Sequence, residues 1–127
     1  MFEYIEHIQG NVLAIRITAE ITEKEHQKID GLISRRFSEQ GRLRMLIVVK
    51  HYPSLSSAEA LYEDLRMVKL HAEHIERLAV VGDRPWKRTW VGLFGLFGGI
   101  QCDYFEMNRI NAAWDWITEG LAQTVAP

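Results

Sequence analysis

Few residues in this chain are able to do chemistry, and they are scattered. His71 and His74 stand three apart at the end of a helical stretch, so both rings could reach one metal ion. No cysteine pair accompanies them, His51 is the only other histidine nearby, and favourable charge at a helix C-terminus explains them as well. No metal site is therefore expected. Ser54, Ser56 and Ser57 crowd one loop. Ser56 with Glu59 three residues on is a capping box, which accounts for that serine without chemistry. A phosphate on Ser56 or Ser57 would sit at a helix N-terminus, where the dipole favours negative charge, so the loop is also a candidate switch. Cys102 has an apolar strand around it and no local base, so it reads as a small hydrophobe rather than a nucleophile. Glu63 and Asp64 are adjacent on a helix surface and do not face each other as an acid/base pair. There is no G-x-S-x-G, no P-loop and no dinucleotide fingerprint. No catalytic set and no cofactor emerges, and the chain is not expected to be an enzyme.

The element that must position anything else is the stretch from Glu76 to Phe105, ERLAVVGDRPWKRTWVGLFGLFGGIQCDYF. Leu78-Ala79-Val80-Val81 is an unbroken apolar run, the mark of a strand covered on both faces. Gly82-Asp83 stops it. Asp83 is expected to cap the helix that follows, with Pro85 in its first turn. Trp86, Trp90, Leu93, Phe94 and Phe97 recur at helical spacing. Gly98-Gly99 ends the helix, and Ile100 to Phe105 returns to strand.

The remaining elements follow in order. Met1–Ile8 and Asn11–Ile17 read as a strand pair around a Gly10-Asn11 turn. Thr22 and Glu25 form a capping box that opens a helix with Ile29, Leu32, Ile33 and Phe37 inward and Arg35 and Arg36 outward. Gly41 caps its far end. Leu43–Val49 is a second unbroken run. A helix after Ser56 carries Leu61, Leu65, Val68 and Ala72 inward. A last helix, near Arg109–Glu119, puts Ile110, Ala113, Trp114 and Ile117 on one side, with Gly120 ending it. The order β-β-α-β-α-β-α-β-α gives an α/β fold: a mainly parallel five-stranded sheet covered by about four helices in a single domain of 127 residues.

Composition sets limits. Net charge is −2 with 25% charged residues, so no strongly basic face is implied and nucleic acid is a poor guess for a partner. One cysteine allows no internal disulfide and suits a reducing compartment. The start MFEYIEHIQG lacks the basic end and apolar core of a signal peptide. The longest apolar stretch, Trp90 to Ile100, is too short for a transmembrane segment. A soluble cytoplasmic protein is expected.

The order of elements resembles the SpoIIAA-like fold of bacterial anti-sigma-factor antagonists and STAS domains. HAEHIERLAVVGDRPW, followed by a YFE strand and a helix ending A-A-W-D-W-I, resembles a bacterial family of small SpoIIAA-like proteins, also described as STAS/SEC14-like domain proteins. The resemblance spans nearly the whole chain and is sharpest from Ile75 to Trp86. It implies a non-enzymatic regulatory or interaction module, with a small apolar-ligand or lipid-binding domain as the alternative. Anti-sigma antagonists carry a phosphorylated serine after an Asp. Here Tyr52-Pro53-Ser54-Leu55-Ser56-Ser57 supplies the serines without the Asp.

The aromatic helix is richer than a short covering helix needs, and Gly92 and Gly95 weaken it. Asp83, Arg84, Trp86, Trp90, Phe94 and Phe97 are therefore the candidate surface for a protein partner, a second copy of the chain, or an apolar small molecule or lipid. Arg84, Lys87 and Arg88 add local positive charge beside it.

Overall fold

Met45–Val49 and Leu78–Val81, the two unbroken aliphatic blocks, lie side by side, with Met45 opposite Leu78 and Val48 opposite Val81 in a parallel pair. Every residue of both blocks is buried, as covering on both faces requires. The computed structural model describes residues 2–5, 10–18, 21–50 and 66–121. Those residues form strands β1 (Phe2–Ile5), β2 (Val12–Ile17), β3 (Leu43–Val49), β4 (Ile75–Gly82) and β5 (Gln101–Glu106). The helices are α1 (Glu23–Gln40), α2 (Arg66–Leu70), α3 (Lys87–Phe94) and α4 (Ile110–Thr118). The sheet runs β1-β2-β3-β4-β5, antiparallel at the first pair and parallel thereafter.

That sequential order fixes the layers. Each crossover from β2 to β5 steps the same way across the sheet, so a common hand puts all three connecting helices on one face. Leu13, Ile15, Ile17, Met45, Ile47, Leu78 and Val80 point to that face and pack with Ile29 and Ile33 of α1, Val68 of α2, and Trp90 and Leu93 of α3. The other face, with Val12, Ala14, Leu46, Val48, Ala79 and Val81, is left to α4, which meets it through Ala113 and Ile117. Ala14 and Ala79 flank Leu46 in one cross-strand row, leaving room for that helix.

The caps of α1 are as the sequence indicates. The Glu25 amide donates to Thr22 Oγ1 at 3.2 Å, and the Thr22 amide donates to Glu25 Oε1 at 3.1 Å. Gly41 ends the helix at φ 83°, a conformation that favours glycine. Two outward and inward assignments on α1 are corrected. Phe37 is exposed at the surface, stacked on His74. Arg36 is half-buried and donates to the Val12 carbonyl at 2.8 Å, because β2 brings that carbonyl within reach of its long stem. Leu61, Leu65 and the Ser56–Glu59 capping box lie outside the described residues.

The opposite, N-terminal edge of the parallel strands carries two arginines that tie α4 down. Arg44 Nη1 donates to the carbonyls of Ile117 at 3.0 Å and Glu119 at 2.6 Å, and Nη2 meets Glu76 Oε1 at 3.2 Å. Arg77 Nη1 donates to the Trp116 carbonyl at 2.8 Å, with its guanidinium 5.1 Å from the Trp116 ring centre. Both donate to carbonyls at a helix C-terminus, where the dipole favours cations.

Candidate functional site

Ligands of open α/β sheets gather beyond the C-terminal ends of the strands. At that edge β3 ends at Val49 and β4 at Gly82, next to one another. Gly82 is where the chain allows a close approach. A Cβ there would lie 2.6 Å from the Tyr104 hydroxyl, so only glycine admits the phenol. Tyr104 reaches across from β5 and donates to the Asp83 carbonyl at 2.6 Å. Burial pushes the Tyr104 phenol well above its usual range, and the Asp83 and Glu106 carboxylates add to the effect. It is a fixed donor, not a base.

Asp83 does not cap the helix, contrary to the sequence expectation. Its backbone is extended and its side chain makes no cap hydrogen bond. The reason lies in the next three residues. A cap carboxylate accepts from the second or third amide of the helix. The second belongs to Pro85, which has none, and the Trp86 amide is already taken by the Asp83 carbonyl at 3.1 Å. The chain begins with a 3-10 turn over Arg84–Trp86, continues as α3, and tightens again over Gly95–Phe97 before Gly98.

The aromatic side chains of this stretch sort into core and shoulder. Trp90 and Phe97 are 0% exposed and belong to the core between α3 and the sheet. They do not form part of any surface, which corrects their place in the candidate set. Their spacing with Leu93, at three and four residues, is that of a buried helical stripe. Trp86 and Phe94 are half-buried against the same core, with the Phe94 ring 6.5 Å from that of Trp90. The Trp90 indole Nε1 is buried with no hydrogen-bond partner among the described residues. Between α3 and the sheet, Val49, Gly82, Asp83, Trp86, Trp90 and Tyr104 enclose only about 10 Å3. That is space for about one water, not for a ligand.

The outer side of α3 is different. Arg84, Pro85, Lys87, Arg88 and Val91 form, with Glu106, a shallow open depression of about 460 Å3. Arg84 is 88% exposed, and its Nε lies 3.7 Å from Glu106 Oε1. Lys87 and Arg88 are exposed, and Val91 faces solvent between them and the next turn. A second open groove, about 320 Å3, runs between β1 and α1 and is lined by Phe2, Tyr4, Lys28, Gly31, Leu32 and Arg35.

The other candidate residues separate in space. Ser54, Ser56, Ser57 and His51 lie outside the described residues. Cys102 is half-buried on β5 and donates to the Ile100 carbonyl at 3.5 Å. Burial pushes its thiol up to about 11, away from nucleophilic use. His71 and His74 come together at the turn before β4, with Asp30 of α1 beside them. Arg44 and Arg77 escaped the sequence reading. Their only signal was a charged residue inside an otherwise apolar strand.

A family model described as SpoIIAA-like matches residues 12–118. The chain belongs to the SpoIIAA-like family. Among the described residues, the match takes in the parallel strands β2 to β5 and helices α1 to α4, and leaves out β1. No curated protein and no solved structure matches the chain. Among the described residues, no helix is long and apolar enough to cross a membrane.

Proposed function

We propose that this SpoIIAA-like domain is a non-enzymatic interaction module that docks an acidic protein surface on the outer side of α3. The observation that carries this reading is the charge arrangement there. Arg84, Lys87 and Arg88 stand exposed within two turns around solvent-facing Val91, and among the described residues Glu106 is the one carboxylate in contact with them. The chain as a whole is net negative at −2, so this cationic face is a local departure and fits an acidic partner by charge complementarity. Family membership supports an interaction role, since SpoIIAA-like domains are generally non-enzymatic. The working face differs from the one read in sequence: Arg84, Lys87, Arg88 and Val91 replace the buried Trp90 and Phe97. A cytoplasmic location goes with the same reading.

The test is titration of a fluorescent polyglutamate peptide into the full chain and into the Arg84→Glu/Lys87→Glu/Arg88→Glu variant. Saturable binding that weakens with salt and disappears in the variant supports the reading. Equal binding by both proteins contradicts it. Binding to anionic phospholipid vesicles but not to the peptide replaces the protein partner with a membrane surface.

The groove between β1 and α1 favours a second reading, a small apolar ligand bearing an anionic group. Its volume of about 320 Å3 is in the range of ligand sites, and Lys28 and Arg35 sit where an anion would be met. Native mass spectrometry of freshly purified protein tests it. A retained small molecule that is lost in Gly31→Leu, which fills open space beside the groove, supports it. Bare protein as the sole species contradicts it.

A further inference from the structure

The segment His71-Ala72-Glu73-His74 is a single 3-10 turn, closed by the His74 amide donating to the His71 carbonyl at 2.8 Å. Residues three apart eclipse in this geometry, so both imidazoles stand on one side. Their ring centres are 5.6 Å apart, and their Nδ1 atoms approach to 3.4 Å. Helix α1 fixes both rings from the side. Asp30 Oδ1 lies 3.2 Å from His71 Nε2. A carboxylate can only accept, so Nε2 carries the proton and the neutral ring turns its Nδ1 lone pair toward His74. Seven residues further along α1, Phe37 stacks on the His74 ring with centroids 3.9 Å apart and planes 22° from parallel.

We propose that His71 Nδ1 and His74 Nδ1 chelate a zinc-like divalent cation. Two imidazole nitrogens on a tetrahedral zinc, each at about 2.05 Å, are separated by about 3.3 Å. The observed 3.4 Å matches that separation. In the metal-free protein the same approach is bridged by the His74 Nδ1 proton; on binding, that proton passes by exchange with water to His74 Nε2, so that both neutral rings turn an Nδ1 lone pair to the cation. Asp30 acts as the carboxylate that orients a ligating histidine through its other nitrogen. The half-burial of both rings leaves a route to solvent. Among the described residues no group of three or more His, Cys, Asp or Glu side chains could hold a metal. Two coordination positions therefore fall to water or to a donor brought by another molecule. The site lies just before Ile75, at the opposite end of β4 from Gly82 and the cationic face, so it goes beyond the function proposed above.

The experiment is calorimetric titration of zinc chloride into the chelator-treated full chain. One-to-one saturable binding is expected. It should be lost in His71→Gln and in His74→Gln, and weakened about 10- to 100-fold in Asp30→Asn. Absence of saturable binding, or binding that survives in both histidine variants, overturns the proposal. A second measurement needs no variant. Long-range 1H–15N spectra of the wild-type protein should show the Nδ1 signals of His71 and His74 moving with zinc while those of buried His26 stay. Shifts confined to other histidines also overturn it.

Discussion

Replacing Arg44 by Met should cost this small domain a large share of its stability. The side chain is only 8% exposed, and its guanidinium donates to two carbonyls at the C-terminus of α4 while pairing with Glu76. Hydrogen bonds from a charged donor contribute roughly 1.5–3 kcal/mol each. The charge at the negative end of the helix dipole adds roughly 0.3–2 kcal/mol. Against this stands the cost of burying the guanidinium, several kcal/mol by general experience. Its Nε also lies buried with no partner among the described residues, which Met would relieve. Arg77 keeps its bond to the Trp116 carbonyl in the variant, and Glu76, 43% exposed, rehydrates. The net loss expected is about 2–3 kcal/mol. That corresponds to a fall in Tm of about 10 °C for a chain of this length. Urea denaturation of the wild type and of Arg44→Met should give different midpoints at the same slope. Arg44→Lys, which keeps the charge but not the fork, should fall between them. Hydrogen exchange at the Glu119 and Leu121 amides, which close the end of α4, should accelerate in Arg44→Met. A stability within about 0.5 kcal/mol of wild type, the range of ordinary surface changes, would refute the role given to Arg44.

Other outcomes follow from the same contacts. Gly82→Ala should destabilise by about 1–3 kcal/mol, because its Cβ collides with the Tyr104 hydroxyl; in a Tyr104→Phe background the added cost should shrink, measured by a double-mutant cycle. Phe97→Ala should cost about 3–5 kcal/mol in chemical denaturation, whereas Val91→Ala should stay within about 0.5 kcal/mol, since one ring is core and the other side chain is exposed. Alkylation of Cys102 by iodoacetamide at pH 8 should run roughly a hundredfold slower than for an ordinary cysteine and speed up as pH rises toward 11, because deprotonation is needed and burial opposes it. Ser56→Asp/Ser57→Asp should alter polyglutamate binding; unchanged affinity removes the phosphoswitch idea.

How far the sequence carried depends on the range of the forces involved. Aliphatic runs and capping boxes are local, and they set the strands β3 and β4 and the start of α1 without help. The strand order and the layers were not legible: the order proved sequential, and one hand of crossover then puts three helices on one face. Long-range polar contacts were not legible. Nothing near Arg44 in the chain announces carbonyls 73 residues away. The aromatic helix misled by number. Trp86, Trp90, Phe94 and Phe97 looked like a surplus for a surface, yet Trp90 and Phe97 join Leu93 in a buried stripe, and Trp86 and Phe94 pack half-buried against it. Asp83 misled by proximity. A capping residue needs a free amide ahead of it, and Pro85 with a 3-10 turn left none. His71 and His74 were visible as a pair, but Asp30 and Phe37, which orient them, come from a helix that only folding brings near.

The claim that the outer side of α3 is the working face can be tested in the cell. A photo-crosslinking residue placed at Val91, which is 52% exposed, should yield one dominant adduct with an acidic protein. The same residue at exposed Lys24 of α1 should not yield it, and the Arg84→Glu/Lys87→Glu/Arg88→Glu background should abolish it. No adduct at Val91, or the same adducts at both positions with the charges reversed, would contradict the account.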